Sequence, residues 1–497
     1  MRRLLFLLPL LLLLFFRPVH AEDYRLTIES CVIANGNVYV RAAGSAETDD
    51  GYLYLCKKEC YQKTSYNNSL KKIQCVNNPT FVTTLDLPGD LYRQYYICGY
   101  IDGTYKRISN YHYITNPGTI AEYTIPRFNN SKKGVLPSAA LMQDLTLLDE
   151  LKVSQVAYNI MLGDLLSDGD IKYRYRGYDY YFNSSILGQY DSVLSRMENR
   201  NIQVTMILLN NKGKDDVLIH PLVRNETANY YAFNTMDRDG VETMQAVAAF
   251  LAERYSGGQY GTVDNWIIAN EVNSYKIWYR YPDSDMVTPF VTDYANAFRI
   301  FYNAIKSVNA NARVYISLDN QWTRHNDDSY TSKEVLDKFA TIINTEGNIN
   351  WGLAIHPYNM PLTSTDVKGM DGVRGITHDA STAYMTMQNI DALTDYMHRK
   401  EMLTGKGNVR SILCSEQGYT SSGPGGEAAQ AQAIVYAYQI ANKNEDIDGF
   451  ILNRQQDAPE EVKDGLALGL MDSNGNKKMS YQWYADADSE AILSKLP

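Results

Sequence analysis

The sequence predicts an α/β fold, a (β/α)8 TIM barrel preceded by a small antiparallel β-sandwich module. Two observations predict it: short alternating segments separated by turn signals occupy the first hundred residues, and apolar strands then alternate with amphipathic helices. Strands that are buried on both faces between helices form parallel sheets, and eight such units make a closed barrel. An open doubly wound sheet is the alternative, but it normally carries an early Gly-rich phosphate turn, and the sequence has neither G-x-G-x-x-G nor a P-loop.

The amino terminus has the pattern of a secretory signal peptide over residues 1–21. Two arginines precede an apolar run over 4–16, and Val19 and Ala21 are small residues before a cut at Glu22. Removing this segment removes three arginines and no acid, so the net charge falls from −10 to −13. We therefore expect a secreted, extracellular protein without a membrane span after cleavage. An acidic chain of this kind is a poor partner for nucleic acid.

Residues 22–117 are predicted to form the β-sandwich module. Strands over 24–33 and 38–43 flank Asn35-Gly36, a strong hairpin signal. The further strands are expected over 51–55, 80–85, 92–101 and 105–113. Five of the six cysteines, Cys31, Cys56, Cys60, Cys75 and Cys98, lie here, which suits two disulfides of open pairing and one spare thiol in an exported protein. Asn116-Pro117-Gly118 marks the boundary.

Residues 118–497 are predicted to form the barrel. Its strands are expected over 133–136, 153–162, 202–209, 263–270, 313–318, 351–357, 410–415 and 447–452. Its helices are expected over 138–151, 186–199, 241–255, 290–308, 333–344, 387–403, 427–442 and 480–494. The loops over 212–240 and 360–386 exceed ordinary connections and are expected to wall a cleft.

The active site of such a barrel lies at the carboxyl ends of its strands, so the residues there are the candidates. Two glutamates are the strongest signal: Glu271 follows the apolar end of strand four and Glu416 that of strand seven. A retaining glycosidase needs two carboxyl groups about 5–5.5 Å apart, one as acid/base and one as nucleophile. A salt-bridged or helix-capping glutamate is the alternative for either one alone. The pair therefore indicates glycoside hydrolysis.

Three short motifs in strand order resemble the clan A retaining glycoside hydrolases. They are Ile268-Ala269-Asn270-Glu271 on strand four, His356-Pro357-Tyr358 on strand six and Cys414-Ser415-Glu416-Gln417-Gly418 on strand seven. The resemblance covers residues 130–490 and identifies no numbered family.

This resemblance implies a role for each matched residue. Glu271 would be the acid/base, Glu416 the nucleophile, and Asn270 would bind the sugar 2-hydroxyl. Because neighbouring strand residues point to opposite faces, Asn270 and Glu271 share the site only if the strand end twists or bulges. His356 and Tyr358 lie two residues apart on one face, and Tyr358 is expected to bond Glu416. A packed tyrosine and a buried, satisfied histidine are the alternative.

The sequence departs from the clan at two positions. The clan often has an arginine on strand two, where Asn159 is the only polar candidate, and a tryptophan at the end of strand eight, where Asn453 and Arg454 stand. Arg454 is the candidate to replace the missing charge. The remaining predicted substrate contacts are Asn210 at the end of strand three, with Trp278 and Trp322 after strands four and five.

Other chemistries lack their motifs. There is no H-E-x-x-H and no G-x-S-x-G, and no pair of histidines has metal-ligand spacing, so we expect neither a metal nor a cofactor. The expected partner is an oligo- or polysaccharide with β-linkages. The alternative function is a non-catalytic glycan-binding protein on the same barrel.

Overall fold

The computed structural model describes residues 24–127, 131–283 and 286–496. The predicted signal peptide over 1–21 lies outside the described residues. Among the described residues, no helix has the length and apolar character needed to cross a bilayer.

The amino-terminal part consists of two antiparallel sheets, as predicted. One has the order β1-β2-β5 and the other β4-β3-β6-β7. Their strands are β1 Leu26–Ala34, β2 Asn37–Gly44, β3 Tyr52–Lys58, β4 Ser69–Gln74, β5 Thr80–Thr84, β6 Gln94–Ile101 and β7 Thr104–Arg107. Asn35 and Gly36, with φ of +49° and +71°, form the tight turn of the first hairpin. Strand β4 was not predicted, because its side chains are mostly exposed and show no alternation.

The remainder forms a closed parallel barrel of eight strands in chain order. The barrel strands are β8 Lys133–Val135, β9 Gln155–Met161, β12 Gln203–Leu209, β13 Asn265–Ile268, β14 Arg313–Leu318, β15 Gly352–Ile355, β16 Ile412–Gln417 and β17 Ile447–Leu452. A hairpin of two strands, β10 Ile171–Tyr175 and β11 Tyr178–Phe182, is inserted after the second barrel strand. Sequence patterning did not predict this hairpin.

The helices surround the barrel. They are α1 Thr146–Leu151, α2 Leu162–Leu166, α3 Ser184–Leu194, α4 Arg238–Arg254, α5 Val287–Val308, α6 Ser332–Thr345, α7 Asp391–Met397, α8 Gly426–Lys443, α9 Pro459–Lys463, α10 Met479–Ala485 and α11 Glu490–Leu493. The helix predicted over 138–151 begins only at Thr146, because the Asp144 carboxylate accepts the Thr146 amide at 3.1 Å and ends a turn there. The helix predicted over 480–494 is divided into α10 and α11.

The barrel lumen is filled by a small cluster of inward side chains. They are Ala157, Ile207, Leu209, Ile267, Tyr315, Ala354, Leu413 and Ile451. A much larger cluster packs between the strands and the surrounding helices. The lumen is therefore a packed core whose upper layer supports the residues at the carboxyl ends of the strands.

The sandwich packs directly on the barrel through buried polar contacts. Glu59 of the sandwich is 5% exposed and pairs with Arg93 of its own module and Arg176 of the inserted hairpin. Gln245 of helix α4 also donates to the Glu59 carboxylate at 3.2 Å. The Asn303 side chain of α5 donates to the Leu91 carbonyl. These contacts fix the module against α4 and α5.

All six cysteines are free thiols in the structure, so the expected disulfides stay a prediction. Cys31 is buried in the sandwich core, whereas Cys60 faces the barrel, where its thiol donates to the Thr235 carbonyl at 3.9 Å. Cys56 and Cys98 lie on neighbouring strands and belong to one small buried cluster. The Cys56 thiol donates to the Tyr54 carbonyl at 3.8 Å.

Candidate active site

Glu271 stands at the end of the fourth barrel strand, where the backbone leaves the sheet. Strand β13 ends at Ile268, and Ala269 and Glu271 have φ of +64° and +39°, in the left-handed region that non-glycine residues seldom adopt. This twist breaks the alternation of the strand. The side chains of Asn270 and Glu271 are therefore not forced onto opposite faces of the strand, and both can serve one site.

Glu416 stands at the end of the seventh barrel strand, at a second irregularity. The pairing of β16 with β17 shifts register between Cys414 and Gln417, so Glu416 lies within the bulge. Its neighbours Ser415 and Gln417 are buried, whereas Glu416 keeps part of its surface exposed. Bulges re-aim a side chain at a barrel rim, and here the side chain is a carboxylate.

The Glu271 carboxyl group contacts a histidine of strand six. His356 Nδ1 lies 2.7 Å from Glu271 Oε1, and His356 Nε2 lies 3.4 Å from Ser317 Oγ. The same Ser317 oxygen accepts the backbone amide of Glu271 at 3.2 Å. In the neutral imidazole, the Ser317 hydroxyl donates to Nε2 and Nδ1–H donates to Glu271, which satisfies every partner.

Burial and neighbouring charges shift the pKa values of both partners. Burial raises the pKa of Glu271, although the hydrogen bond and charge of His356 oppose that rise. Burial alone would lower the pKa of His356, but the charge of Glu416 and the contact with Glu271 raise it above its ordinary value. Glu271 therefore holds its proton more tightly than an exposed glutamate does.

The Glu416 carboxylate accepts two donors. Tyr358 Oη donates to Glu416 Oε1 at 2.9 Å, and Asn453 Nδ2 donates to the same oxygen at 3.4 Å. Asn453 Nδ2 also donates to Tyr358 Oη at 2.8 Å. Burial raises the pKa of Tyr358 well above its usual range, so its hydroxyl keeps the proton that it donates. The arrangement orients Glu416.

The two glutamates are therefore held by one short segment that follows strand six. His356 binds Glu271, and Tyr358, two residues later, binds Glu416. The charge of Glu416 also contributes to the raised pKa of Glu271, so the two carboxyl groups are within electrostatic reach of each other. The separation of about 5.5 Å between them stays a prediction.

Arg454 does not contact Glu416 directly, contrary to the sequence prediction that it supports the charge of this carboxylate. Its guanidinium forms an ion pair with Glu461 of helix α9, and its Nε donates to Asn453 Oδ1 at 3.2 Å. That bond fixes which way the Asn453 amide points. Arg454 therefore acts on Glu416 through Asn453, whose amide is a neutral donor.

Two other predicted contacts are packed away from the cleft. Asn210 is 1% exposed, and its amide donates to the carbonyls of Leu218, Tyr231 and Ala232 at 3.0–3.2 Å. Trp322 is fully buried and donates to the Ala380 carbonyl at 3.1 Å. Both side chains are buried and donate to loop carbonyls, so neither presents surface to a sugar in this structure.

Three predicted residues keep surface for a ligand. Asn159 is exposed and shares the inner face of its strand with Ala157 of the lumen cluster. Asn270 is half-buried, and its side chain has no hydrogen-bond partner among the described residues. Trp278 is half-buried and stacks on Tyr230 with ring centroids 5.8 Å apart.

Sequence reasoning missed Ser317 and Tyr230. Ser317 lies on strand five, two residues before the strand-end residue Asp319, so period-two counting back from that end would have found it. Tyr230 lies in the loop after strand three and packs against the lumen cluster. A single tyrosine in a long loop gives no sequence signal.

A cavity of about 560 Å³ lies at the opposite, amino-terminal end of the barrel. It is lined by the ion pair of Arg313 and Asp448, whose atoms are 2.6 Å apart, and by Ser411. Catalytic groups of this fold lie at the other end, so this cavity is not the candidate site. In the described parts of the chain, no group of three or more potential ligands is placed to hold a metal ion.

Several solved structures share this architecture. A family 39 glycoside hydrolase from Bacteroides cellulosilyticus WH2 is 16% identical with a TM-score of 0.50, covering 92% of this chain and 80% of its own. A β-glucosidase from Pyrococcus furiosus is 14% identical with a TM-score of 0.47, and the match covers 72% of this chain and 84% of the β-glucosidase. A family 1 β-glucosidase from Thermotoga maritima is 12% identical with a TM-score of 0.45, covering 70% and 86%. At these identities the likeness shows the fold alone.

No curated protein matches the chain in sequence. One family model does match, over residues 126–495, which include the whole barrel and both glutamates. The chain therefore belongs to the family of unknown function DUF5722.

Proposed function

We propose that the chain is a glycoside hydrolase that cleaves a β-linked glycan by a retaining double displacement. One observation carries the proposal: two carboxyl groups at the ends of strands four and seven are held by two side chains of the segment that follows strand six, His356 on Glu271 and Tyr358 on Glu416. The barrel shared with a family 39 glycoside hydrolase supports it. A protein that only binds glycan does not need hydrogen bonds that orient two carboxyl groups, so the binding-only alternative is not favoured.

In the first step a Glu416 oxygen attacks the anomeric carbon. The glycosidic C–O bond breaks, and the departing oxygen takes the proton of Glu271. The raised pKa of Glu271 keeps that proton available closer to neutral pH. As Glu271 becomes a carboxylate, the His356 ring N–H at 2.7 Å stabilises the new charge.

In the second step Glu271 acts as a base. It takes a proton from water, the water oxygen attacks the anomeric carbon, and the bond to Glu416 breaks. Tyr358 and Asn453 then receive the returning carboxylate with both hydrogen bonds already in place. The Asn270 amide is the group we assign to the sugar 2-hydroxyl.

The test is a panel of 4-nitrophenyl β-glycosides followed by ¹H NMR of the fastest reaction. A retaining enzyme releases the β-anomer first, and the α-anomer appears only by mutarotation. A Glu416→Gln preparation controls for contaminating activity. Initial release of the α-anomer would refute the double displacement, and no turnover on aryl glycosides or on soluble β-glucan, xylan and mannan would refute the hydrolase.

We also propose that the protein is exported. The support is the charged, apolar and small-residue pattern over 1–21. Sequencing of the mature amino terminus from the native host should begin at Glu22. A mature chain that begins at Met1 would overturn this proposal.

A further inference from the structure

An aromatic wall, formed by Tyr230 and Trp278, stands on two loops at the mouth of the barrel. Asn453 and Arg454 directly follow strand eight. The Asn453 amide donates to Tyr358 and Glu416, and the Arg454 guanidinium pairs with Glu461. Among the aromatic residues that follow the strand ends, four are buried: Trp322, Tyr275, Tyr279 and Tyr419. Trp278, on the loop that follows Glu271, is half-buried and is left to contact a ligand.

Tyr230 joins Trp278 at this wall because two loops are bonded together. The Arg280 amide donates to the Tyr230 carbonyl at 2.9 Å, and the Ala232 amide donates to the Arg280 carbonyl at 2.9 Å. The Tyr231 amide also donates to the Asn210 carbonyl at 2.8 Å. The loop after strand three is thus fixed to both its own strand end and the loop after strand four.

The buried Asn210 amide holds the same loop at three carbonyls, those of Leu218, Tyr231 and Ala232. A loop held in this way does not need to reorganise when a ligand binds, so its exposed side chains are pre-organised. Tyr230 immediately precedes Tyr231 and Ala232, two of the residues whose carbonyls the Asn210 amide holds.

The two rings pack against each other as one aromatic unit, and each keeps part of its surface exposed. Their centroids are 5.8 Å apart and their planes differ by 25°. Tyr230 packs against the lumen cluster beneath it. Burial, with the charge of Glu416, raises the pKa of Tyr230. The aromatic pair therefore begins on the lumen cluster and continues onto the loop of Glu271.

We propose that Tyr230 and Trp278 form the platform on which the sugar rings of the substrate stack, in place of an aromatic residue from strand eight. The inference rests on the proposed glycosidase function. The apolar C–H face of a pyranose packs on an aromatic ring while its hydroxyls stay with polar groups. Tyr230, which packs on the lumen cluster, takes the sugar deeper in the barrel mouth, and Trp278, on the loop of Glu271, takes the next sugar.

The experiment measures the KM for the aryl glycoside that the full-length protein hydrolyses best. Calorimetric Kd values for cellohexaose, xylohexaose and mannohexaose are measured alongside. The variants are Tyr230→Leu, Tyr230→Phe and Trp278→Leu. Tyr178→Leu is the matched control, because Tyr178 is a 49% exposed tyrosine on the inserted hairpin. Melting temperatures establish that each variant is folded.

We expect Tyr230→Leu to raise the KM and the hexasaccharide Kd about tenfold. Tyr230→Phe should keep most of the affinity because the ring remains. Trp278→Leu should raise the hexasaccharide Kd about tenfold and the aryl-glycoside KM less, because only the hexasaccharide places a sugar against Trp278. Leucine variants that bind as the wild type does would overturn the platform. So would a Tyr230→Phe variant as damaged as Tyr230→Leu, because that result assigns the effect to the hydroxyl.

The binding arm separates this proposal from the proposed reaction. If the wild type hydrolyses no glycoside but binds a hexasaccharide that Tyr230→Leu and Trp278→Leu lose, the platform stands and the hydrolase fails. If it hydrolyses glycosides but neither variant changes KM or Kd, the hydrolase stands and the platform fails. If it neither binds nor hydrolyses any of the probes, both fail.

Discussion

His356 Nδ1 lies 2.7 Å from the carboxyl group of Glu271, and this contact couples the protonation of the two residues. The imidazole opposes the rise in pKa that burial imposes on Glu271. It also stabilises the carboxylate that forms when the proton leaves. His356 is therefore the residue that tunes the acid of the proposed reaction.

The His356→Phe variant should move the alkaline limb of the kcat/KM profile to higher pH. The acid must be protonated in the first step, so activity is lost as pH rises through the pKa of Glu271. Removing the group that lowers this pKa raises it further. The measurement is a pH profile with the best aryl glycoside, and His398→Phe is the control at a 54% exposed histidine. A limb that stays in place or moves down would contradict the assignment.

The Asn453→Ala variant should lower kcat about 10- to 100-fold with a smaller change in KM. It removes the donor at 3.4 Å from Glu416 and at 2.8 Å from Tyr358, and a hydrogen bond to a charged group contributes about 1.5–3 kcal/mol. Steady-state kinetics provide the check. Asn311→Ala removes an exposed asparagine bond to a backbone carbonyl and should leave kcat unchanged. Equal effects of the two variants would deny Asn453 a role in the site.

The Glu271→Ala variant should lose its activity on glycan but regain turnover of an activated aryl glycoside when azide is added. The good leaving group needs no proton, and azide attacks the glycosyl-enzyme from the face where Glu271 activated water, which gives the β-azide. Glu416→Ala should give the α-azide instead, because azide then replaces the nucleophile. NMR of the two products decides the roles, and the same product from both variants would contradict them.

The Glu59→Ala variant should lower the free energy of unfolding of the whole chain by roughly 2–4 kcal/mol. It leaves Arg93 and Arg176 without their shared carboxylate, and removing one partner of a buried pair costs about 3–5 kcal/mol. The two arginines keep some exposure, so the cost is discounted. Urea titration measures it. Glu460→Ala, at an exposed pair, should change stability by less than about 0.5 kcal/mol. Similar losses would mean that the module contact is not buried in solution.

The order of strands and helices was predictable because each barrel strand is an apolar run between amphipathic helices. Strands β14 and β17 have the predicted ends, Arg313–Leu318 and Ile447–Leu452. The hairpin of β10 and β11 was not predicted, because tyrosines supply most of its inward face and only its end residues Tyr175 and Phe182 are buried. Helix α7 is shorter than predicted because Asn389 bonds the Thr386 amide and holds the preceding segment as a loop.

The catalytic candidates could be predicted from the strand ends, but not all of the residues that contact them could. Glu271, Glu416 and Tyr358 stand where the strand-end rule places them. Asn210 and Trp322 stand there too, yet both turn into loop packing, since a strand-end position does not say which carbonyls a side chain will find. Tyr230 meets Trp278 because two loops are bonded together, a long-range contact that no local pattern encodes.

The most direct test of the central claim is covalent trapping of the nucleophile. A 2-deoxy-2-fluoro β-glycosyl fluoride of the preferred sugar forms the glycosyl-enzyme but slows its hydrolysis, so the intermediate accumulates. Peptide mass spectrometry of the inactivated protein should show one fluoroglycosyl group on the peptide that contains Glu416, and no label in Glu416→Gln. A label on Glu271 or elsewhere, or steady turnover of glycosides without any label, would contradict the account.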